Sequence, residues 1–255
     1  MSSTNDIDQP NPKRNNNCLV LFFLVAGFVV LLMLLPAVNG PRGAAPAANC
    51  QSNMRNIAIA ILNYETTHER FPRAVRGGDD GTPPRSWRVE VLPQLEHQPT
   101  RDRYKDDLPW DAGTNHEIAK RQLPLFQCPS SGNRNDETDT FKTDYVLITG
   151  PRTVFPLDQH TTAADLKDGA SSTIMMIEIN NSDIAWTEPR DITLEDAIAL
   201  FNRPASVRKK YPTNHRAGRM VAFADGHVDF VPEDTPPEVL RALFTIDDGK
   251  AVSLH

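Results

Sequence analysis

The 255-residue sequence has little of what nucleic-acid-binding proteins and the common enzyme families display. Its 27 lysine and arginine residues are outnumbered by 33 aspartate and glutamate residues, which gives a formal net charge of −6. A chain this acidic does not present the broad cationic face that binds phosphate backbones, so we predict no nucleic-acid partner. The G-x-S-x-G, H-E-x-x-H, Walker A and Rossmann signatures do not occur in it. We therefore predict no enzymatic activity and no cofactor.

Cysteine is also scarce. The chain has three, Cys18, Cys50 and Cys128, with no C-x-x-C pair and no neighbouring cysteine and histidine spacing of the kind that holds a structural metal. If residues 49–255 lie outside the cytoplasm, Cys50 and Cys128 are the only thiols there, and an oxidising compartment favours a disulfide between them. Two buried, reduced cysteines are the alternative.

What the sequence does contain is a long apolar segment near its beginning. Residues 18–38 follow a polar tail, residues 1–17, and are apolar at every position except Gly27 and Pro36. At ~1.5 Å per residue, a helix over this segment approaches the ~30 Å of a bilayer core, so we predict a transmembrane helix. A cleaved signal peptide is the alternative, although its apolar region is usually only ~7–15 residues long. Residues 39–48 contain two glycines and two prolines, which predicts a linker that breaks or kinks the helix.

The rest of the chain, residues 49–255, has the pattern of one domain, which we call the head. After Asn49, apolar residues recur at spacings of three and four, which predicts an amphipathic helix of about twenty residues with Asn49 as its N-cap. This helix is expected to end before Phe71, since a proline follows that residue. Residues 73–85 are rich in glycine and proline and predict a loop.

Short apolar runs further along the chain predict the strands of the head. Residues 143–149 and 173–179 are bounded by turn-forming residues, as buried strands are. Residues 194–201 follow Thr193 in a pattern typical of a capped helix. Residues 86–96 fit either a strand or a short helix, and a proline within them argues against a central strand. The head is therefore predicted to contain both helices and strands.

A hairpin is predicted near the C-terminus. Asp225-Gly226 lies between two apolar runs, and this pair favours a two-residue type I′ turn, which needs positive φ at both positions. The register of such a turn places four apolar side chains on one buried face: Val221, Phe223, Val228 and Phe230.

Several short segments follow one another in an order known from one protein family. They are LPAV at 35–38, CQSNMRNI at 50–57, SWRV at 86–89, LPQLE at 92–96, PWD at 109–111, CPS at 128–130, DGASSTI at 168–174 and WTEPRD at 186–191. His215 is then followed by nine residues and Asp225-Gly226. Together these segments resemble DUF1559, also called SBP_bac_10, a family of pseudopilin-like proteins of planctomycete bacteria with an H-x9-DG hallmark.

The resemblance implies a pilin-like α+β fold. In this fold a transmembrane helix continues, after the break at residues 39–48, into an amphipathic helix that packs on a mainly antiparallel sheet. Family members usually open the spanning helix with a G-F-T-L-I-E leader, in which a peptidase cuts after the glycine and the glutamate helps subunits pack. Alignment on LPAV puts Arg14 at the glycine and Leu19 at the glutamate. This departure predicts a permanently anchored protein with an uncleaved N-terminal segment.

His215, Asp225 and His227 are the candidate metal ligands. They supply two imidazoles and a carboxylate within thirteen residues, which suits a divalent metal if the chain from His215 folds back over the hairpin. The alternative is structural: Asp225 serves the turn, His227 is an exposed strand position, and His215 orders the preceding loop. We favour the structural interpretation and predict no bound metal.

Two functions remain open. The first is a single-pass, membrane-anchored structural or interaction protein related to type II secretion or type IV pilus subunits. Its N-terminus would be cytoplasmic and its head periplasmic, and its partners would be the membrane, through residues 18–38, and other pseudopilin-like subunits or secretion components. The second is an anchored extracytoplasmic module that binds a small solute or glycan.

Overall fold

The computed structural model describes residues 17–34, 44–78, 81–131, 141–180, 182–201 and 218–249. It divides the chain into two compact units, Met1–Arg42 and Gly43–His255. In the first unit, helix α1 covers Asn17–Leu34. Its large apolar side chains between Val20 and Val29 are 42–69% exposed. Within the described part of the chain, no helix is long and apolar enough to cross a membrane. Residues 35–38 of the predicted span lie outside the described residues.

Helix α2, Ala44–His68, opens the second unit and is longer than predicted. It begins five residues before Asn49, so the prediction of Asn49 as the N-cap is wrong. Pro46 is tolerated because it lies in the first turn, where a backbone N–H has no acceptor within the helix. The helix stops where Glu69 adopts a left-handed conformation, with φ of 57°. Its end before Phe71 is as predicted.

The strands form two sheets. Strands β1 (Val75–Arg76) and β2 (Arg85–Ser86) form a small antiparallel sheet. The larger sheet contains β3 (Tyr145–Thr149), β4 (Ile174–Glu178), β5 (Ile192–Thr193), β6 (Gly218–Phe223) and β7 (Val228–Pro232). Its order is β5-β3-β4-β6-β7, and it is mixed because β3 pairs with β5 in parallel while the other neighbours are antiparallel. The α+β class is confirmed, with strands at both predicted runs.

Short helices fill the connections. These are α3 (Trp87–Glu90), α4 (Gln98–Arg103), α5 (Gly113–Ala119), α6 (Leu194–Ala199) and α7 (Pro237–Phe244). The 3-10 turns are Pro93–Leu95, Pro124–Phe126, Pro129–Ser131, Ala163–Asp165 and Ala170–Ser172. Helix α6 has Thr193 as its N-cap, as predicted, and the Thr193 hydroxyl accepts the N–H of Asp196 at 3.1 Å. The ambiguous segment from residue 86 continues from strand β2 into helix α3.

The larger sheet is covered on both faces. One apolar cluster joins α2 to one face and includes Ile57, Ile61, Leu147 and Ala222. The other cluster joins α6 and α7 to the opposite face. It includes Val146, Ile177, Val221, Leu194, Leu240 and Phe244. Every residue of β3, β4 and β6 is buried. This explains the continuous apolar runs, because strands that are buried on both faces do not alternate between polar and apolar residues.

The hairpin between β6 and β7 differs from its prediction by one residue in register. Ala222 lies opposite Val228, where the two-residue turn would have placed Phe223. The loop has three residues: the N–H of Gly226 donates to Phe223 O at 2.9 Å, the N–H of Phe223 donates to His227 O at 2.9 Å, and Gly226 has φ of 89°. This is a type I turn followed by a left-handed glycine.

The predicted buried face is wrong for the same reason. Val221 and Phe223 pack toward α6 and α7, whereas Val228 packs toward α2. Since both faces of the sheet are apolar, the hydrophobic pattern does not determine the register, and the turn geometry does.

A disulfide connects α2 to the turn that precedes the central strands. Cys50 and Cys128 are bonded, with Cα atoms 4.8 Å apart, and both residues are buried. Of the two alternatives that the sequence left open, the structure therefore has the disulfide. The hydroxyl of Tyr145 in β3 also donates to Cys50 O at 3.1 Å, so that the start of α2 is held against the sheet by a covalent bond and a hydrogen bond.

We predict that replacing both cysteines with alanine lowers the free energy of unfolding by about 4 kcal/mol, because the bond closes a loop with a sequence separation of 78 residues. Urea unfolding of the full chain in a neutral detergent, followed by tryptophan fluorescence, measures this. A reducing agent should lower the midpoint of the wild type and leave that of the double variant unchanged. Equal midpoints for the oxidised wild type and the double variant would contradict the prediction.

Candidate functional site

A pocket with a cavity volume of about 270 Å³ opens beside the end of α2. Its walls carry arginine, tyrosine, glutamate and histidine side chains and one glycine. We call it the arginine pocket, and its lining residues are Tyr64, Arg70, Arg73, Arg76, Gly77, Glu90 and His160. They come from α2, the segment that follows it, α3 and a loop far along the chain.

One backbone hydrogen bond brings the two sides of the arginine pocket together. The N–H of Phe71 donates to Thr161 O at 2.8 Å. Arg70 precedes Phe71 and His160 precedes Thr161, so this bond places Arg70 and His160 beside each other. Phe71 is only 2% exposed, and its burial fixes the chain at this point. The residue that follows the left-handed end of α2 at Glu69 is therefore part of the pocket wall.

The other two arginines are held by defined partners. Arg73 donates from Nη2 to Leu157 O at 2.8 Å, which ties it to the loop that carries His160. Arg76, in β1, donates from Nη1 to Glu90 Oε2 at 2.7 Å. Gly77 follows with φ of 90°, and a Cβ at this position would come within 2.8 Å of a backbone oxygen. Glycine is therefore required where the chain turns away from the pocket.

The arginine pocket is electropositive. Among its described lining residues, three guanidinium groups face one carboxylate, which leaves a net charge of +2 with His160 neutral. Glu90 is buried and is shared, since Arg85 donates to it at 2.5 Å and Arg101 lies 3.7 Å away. The pKa of His160 is lowered, first by burial and then by the positive charges of Arg70 and its two neighbouring arginines. The imidazole is therefore neutral at pH 7.

The predicted metal ligands are only partly brought together. Nδ1 of His227 lies 2.5 Å from Oδ1 of Asp225, and the His227 ring stacks on Phe223 with centroids 4.0 Å apart. Oδ1 of Asp225 also accepts the N–H of His227 at 3.0 Å, so Asp225 serves the turn. His215 lies outside the described residues.

Another group of ligand-type side chains converges in the described part of the chain. Ligand atoms of Cys50, Cys128 and Glu178 lie within 4.8 Å of one another. The two sulfurs are already bonded to each other, so they do not serve as thiolate ligands in this state. The sequence had not singled out Glu178.

The sequence model of the family described as "Protein of unknown function (DUF1559)" matches residues 40–201, more than half of the chain. The chain belongs to the DUF1559 family. The match ends before His215 and Asp225, so the H-x9-DG spacing stays a prediction. No curated protein and no solved structure matches the chain.

Two of the segments that carry the DUF1559 resemblance, SWRV and WTEPRD, meet in the core through an ion pair. Arg88 donates from Nη2 to Asp191 Oδ1 at 2.6 Å, and neither side chain has any exposure to solvent. Arg88 Nη2 also donates to Tyr145 O at 3.0 Å. Asp191 accepts the N–H of Leu147 at 2.8 Å and the indole N–H of Trp87 at 3.0 Å.

Burial disfavours the charged form of both side chains in this pair. Burial raises the pKa of the Asp191 carboxyl, while the charge of Arg88 and the hydrogen bond from Leu147 oppose that rise. Burial likewise lowers the pKa of Arg88, and Asp191 opposes the change. Two buried charges of this kind are tolerated when hydrogen bonds compensate them, and here both Nη atoms of Arg88 and both carboxylate oxygens of Asp191 have partners, while Nε of Arg88 has none. The pair therefore acts as a structural connection between α3 and the sheet and is closed to a ligand.

Sequence reasoning missed the arginine pocket. Arg70, Arg73 and Arg76 stand at every third position in an otherwise acidic chain. That spacing was the available signal, but the glycines and prolines that follow it predicted only a loop. The partner loop was not predictable, because Arg73 and Leu157 are 84 residues apart in the chain.

We predict that replacing Arg88 with methionine lowers the free energy of unfolding by about 3–5 kcal/mol, because it leaves the Asp191 carboxylate buried without its counter-charge. Urea unfolding of the full chain measures the loss. A second variant, with Arg88→Met and Asp191→Leu together, should lose less than the sum of the two single changes, since it removes both charges.

The matched control is Arg241→Gln. Arg241 forms a two-point ion pair with Glu195 at 2.9 Å, but both side chains are at least half exposed. Solvent screens such pairs, so this variant should unfold close to the wild type. Equal losses for Arg88→Met and Arg241→Gln would refute the structural role of the buried pair.

Proposed function

We propose that this DUF1559 protein is a membrane-anchored, pseudopilin-like structural or interaction protein of the cell envelope. In this proposal residues 18–38 hold the chain in the cell membrane, the polar tail of residues 1–17 is cytoplasmic, and the head is extracytoplasmic. Its partners are other pseudopilin-like subunits or components related to type II secretion or type IV pili. No catalytic step is assigned to it.

The character of helix α1 carries the proposal. From Cys18 to Leu34 its residues are apolar at every position except Gly27, and its large side chains from Val20 to Val29 are exposed. Apolar side chains on all sides of a helix are unfavourable in water, and they are stabilised when lipid or other apolar helices cover them. In a membrane-anchored subunit, lipid and the apolar helices of neighbouring subunits can both cover this helix.

Two features of the second unit support the proposal. Helix α2 packs along a sheet whose central pairings are antiparallel, as the pilin-like fold class requires. The Cys50–Cys128 disulfide suits an oxidising compartment, where such bonds persist. The packing of α2 agrees with a pilin-like head, and the disulfide favours a head that lies outside the cytoplasm.

Anchoring is tested by alkaline carbonate extraction of membranes. We expect the wild-type chain to stay in the membrane pellet and a Leu24→Lys/Phe28→Lys variant to be released, because each lysine costs about 2.5–3.5 kcal/mol at the centre of a spanning helix. The control variant Leu24→Ile/Phe28→Leu keeps the helix apolar and should stay in the pellet. Release of the wild type, or retention of the lysine variant, would contradict the anchor.

Assembly is tested by chemical cross-linking in intact membranes, followed by mass spectrometry of the products. We expect species larger than the monomer that contain a second copy of the chain or a secretion-type subunit. Monomers alone, with no attached component, would count against the assembly role while leaving the anchor in place.

A solute- or glycan-binding module is the second candidate, and the arginine pocket favours it. Small-molecule sites are concave and usually mostly apolar, with a few polar groups that orient the ligand. The arginine pocket is concave but is lined mainly by ionisable side chains, which suits a charged ligand. Anchoring is common to both candidates, so they differ only in what the head binds.

A further inference from the structure

We propose that the arginine pocket binds a tetrahedral oxyanion with two negative charges: inorganic sulfate, or a phosphate that is free or carried by a small ligand as a monoester. The inference rests on the second candidate function, a binding head, and is independent of assembly. It names the residues and the ligand class that a binding role would use.

The donors of the arginine pocket match this ligand class. A guanidinium presents its N–H groups in a fixed planar fork that fits two oxygens of a sulfate or phosphate. Arg70, Arg73 and Arg76 bring three such groups to one cavity. The neutral imidazole of His160 adds one N–H donor. Tetrahedral oxyanions accept several hydrogen bonds at once and are well served by such a set.

Two of the four donors are positioned before a ligand arrives. Arg73 is held by its hydrogen bond to Leu157 O, and Arg76 by its ion pair with Glu90. The Phe71–Thr161 hydrogen bond fixes the backbone beside the two remaining donors. Because the side chains of Arg73 and Arg76 are already ordered, the entropic cost of binding is reduced.

The charge of the arginine pocket argues for a dianion. Its lining carries +2, whereas the whole chain carries −6, so the positive charge is local. This value already includes Glu90, and the nearby groups outside the lining do not reduce it, because Arg85 and Arg101 carry two positive charges against the single negative charge of Asp106. A ligand with two negative charges brings the pocket to neutrality.

The volume of the arginine pocket limits the size of the bound group. At about 270 Å³ it is slightly smaller than the 300–1,000 Å³ of typical ligand sites. A single sulfate or phosphate group, free or attached to one sugar ring, fits this volume. A long chain would have to lie mostly outside, with one charged group inserted.

Equilibrium dialysis tests the proposal directly. The full chain in a neutral detergent is dialysed against radiolabelled sulfate or phosphate, with ionic strength held constant by chloride. We expect one saturable site per chain. Arg70→Gln should weaken binding about tenfold, since a hydrogen bond to a charged group is lost. The matched control, Arg103→Gln, removes the same charge from an exposed position of α4 and should bind like the wild type.

The absence of saturable binding of either anion would overturn the proposal, as would equal weakening by Arg70→Gln and Arg103→Gln. Arg70 is exposed, so its variant should keep the wild-type unfolding midpoint. His160→Gln, also at an exposed position, is the second variant, and it should weaken binding by a smaller factor because it removes a neutral donor.

Competition identifies the source of the bound group. Galactose 6-phosphate, a dianion, and galactose 6-sulfate, a monoanion, are each titrated against the labelled anion. An ester that displaces the label at lower concentration than its inorganic anion shows that the group is carried on a sugar, and equal potency shows that the free anion is the ligand. Failure of assembly is separable, because the cross-linking pattern of Arg70→Gln should match the wild type.

Discussion

Arg88 and Asp191 form an ion pair with no access to solvent, and three parts of the head meet at it. Helix α3 supplies Arg88, the chain entering β5 supplies Asp191, and β3 donates the N–H of Leu147 to the same carboxylate. Burying two charges is costly, and the cost is offset here by their mutual attraction and by the hydrogen bonds to both Nη atoms of Arg88 and to the carboxylate of Asp191. The position of α3 on the sheet is therefore tightly restricted, and the parallel pairing of β3 with β5 is fixed at the same point.

Helix α3, which is only four residues long, connects this core ion pair to the surface. Arg88 binds Asp191 in the core, and Glu90, two residues later, meets Arg76 and Arg85 at the rim of the arginine pocket. The same short helix therefore sets a core contact and the one carboxylate among the described lining residues of the pocket. The arginines of the pocket would repel one another if Glu90 were not held beside them. Because the Arg88–Asp191 pair fixes α3, it also fixes Glu90 and so stabilises the pocket indirectly.

What the sequence predicts follows from burial. The runs at residues 143–149 and 173–179 are continuous and apolar because both faces of the sheet are covered, and their strands were predictable for that reason. The same double burial made the hairpin register unpredictable, since Val221 and Val228 are equally apolar although they face opposite layers. The arginine pocket was hidden because it depends on the contact of Phe71 with Thr161, and no local pattern encodes a contact between such distant segments.

In the proposed function, helix α1 anchors the chain in the cell membrane and the head carries the arginine pocket. The permanent anchor requires that the N-terminal segment is retained. The mass of the N-terminal peptide recovered from membranes tests this claim most directly. We expect a peptide that begins at residue 1 or 2. A new N-terminus near Arg14 would show that the leader is processed and would contradict the retained N-terminal segment, although residues 18–38 would remain in the chain. One beyond residue 38 would show that the helix is a cleaved signal and would contradict the anchor itself.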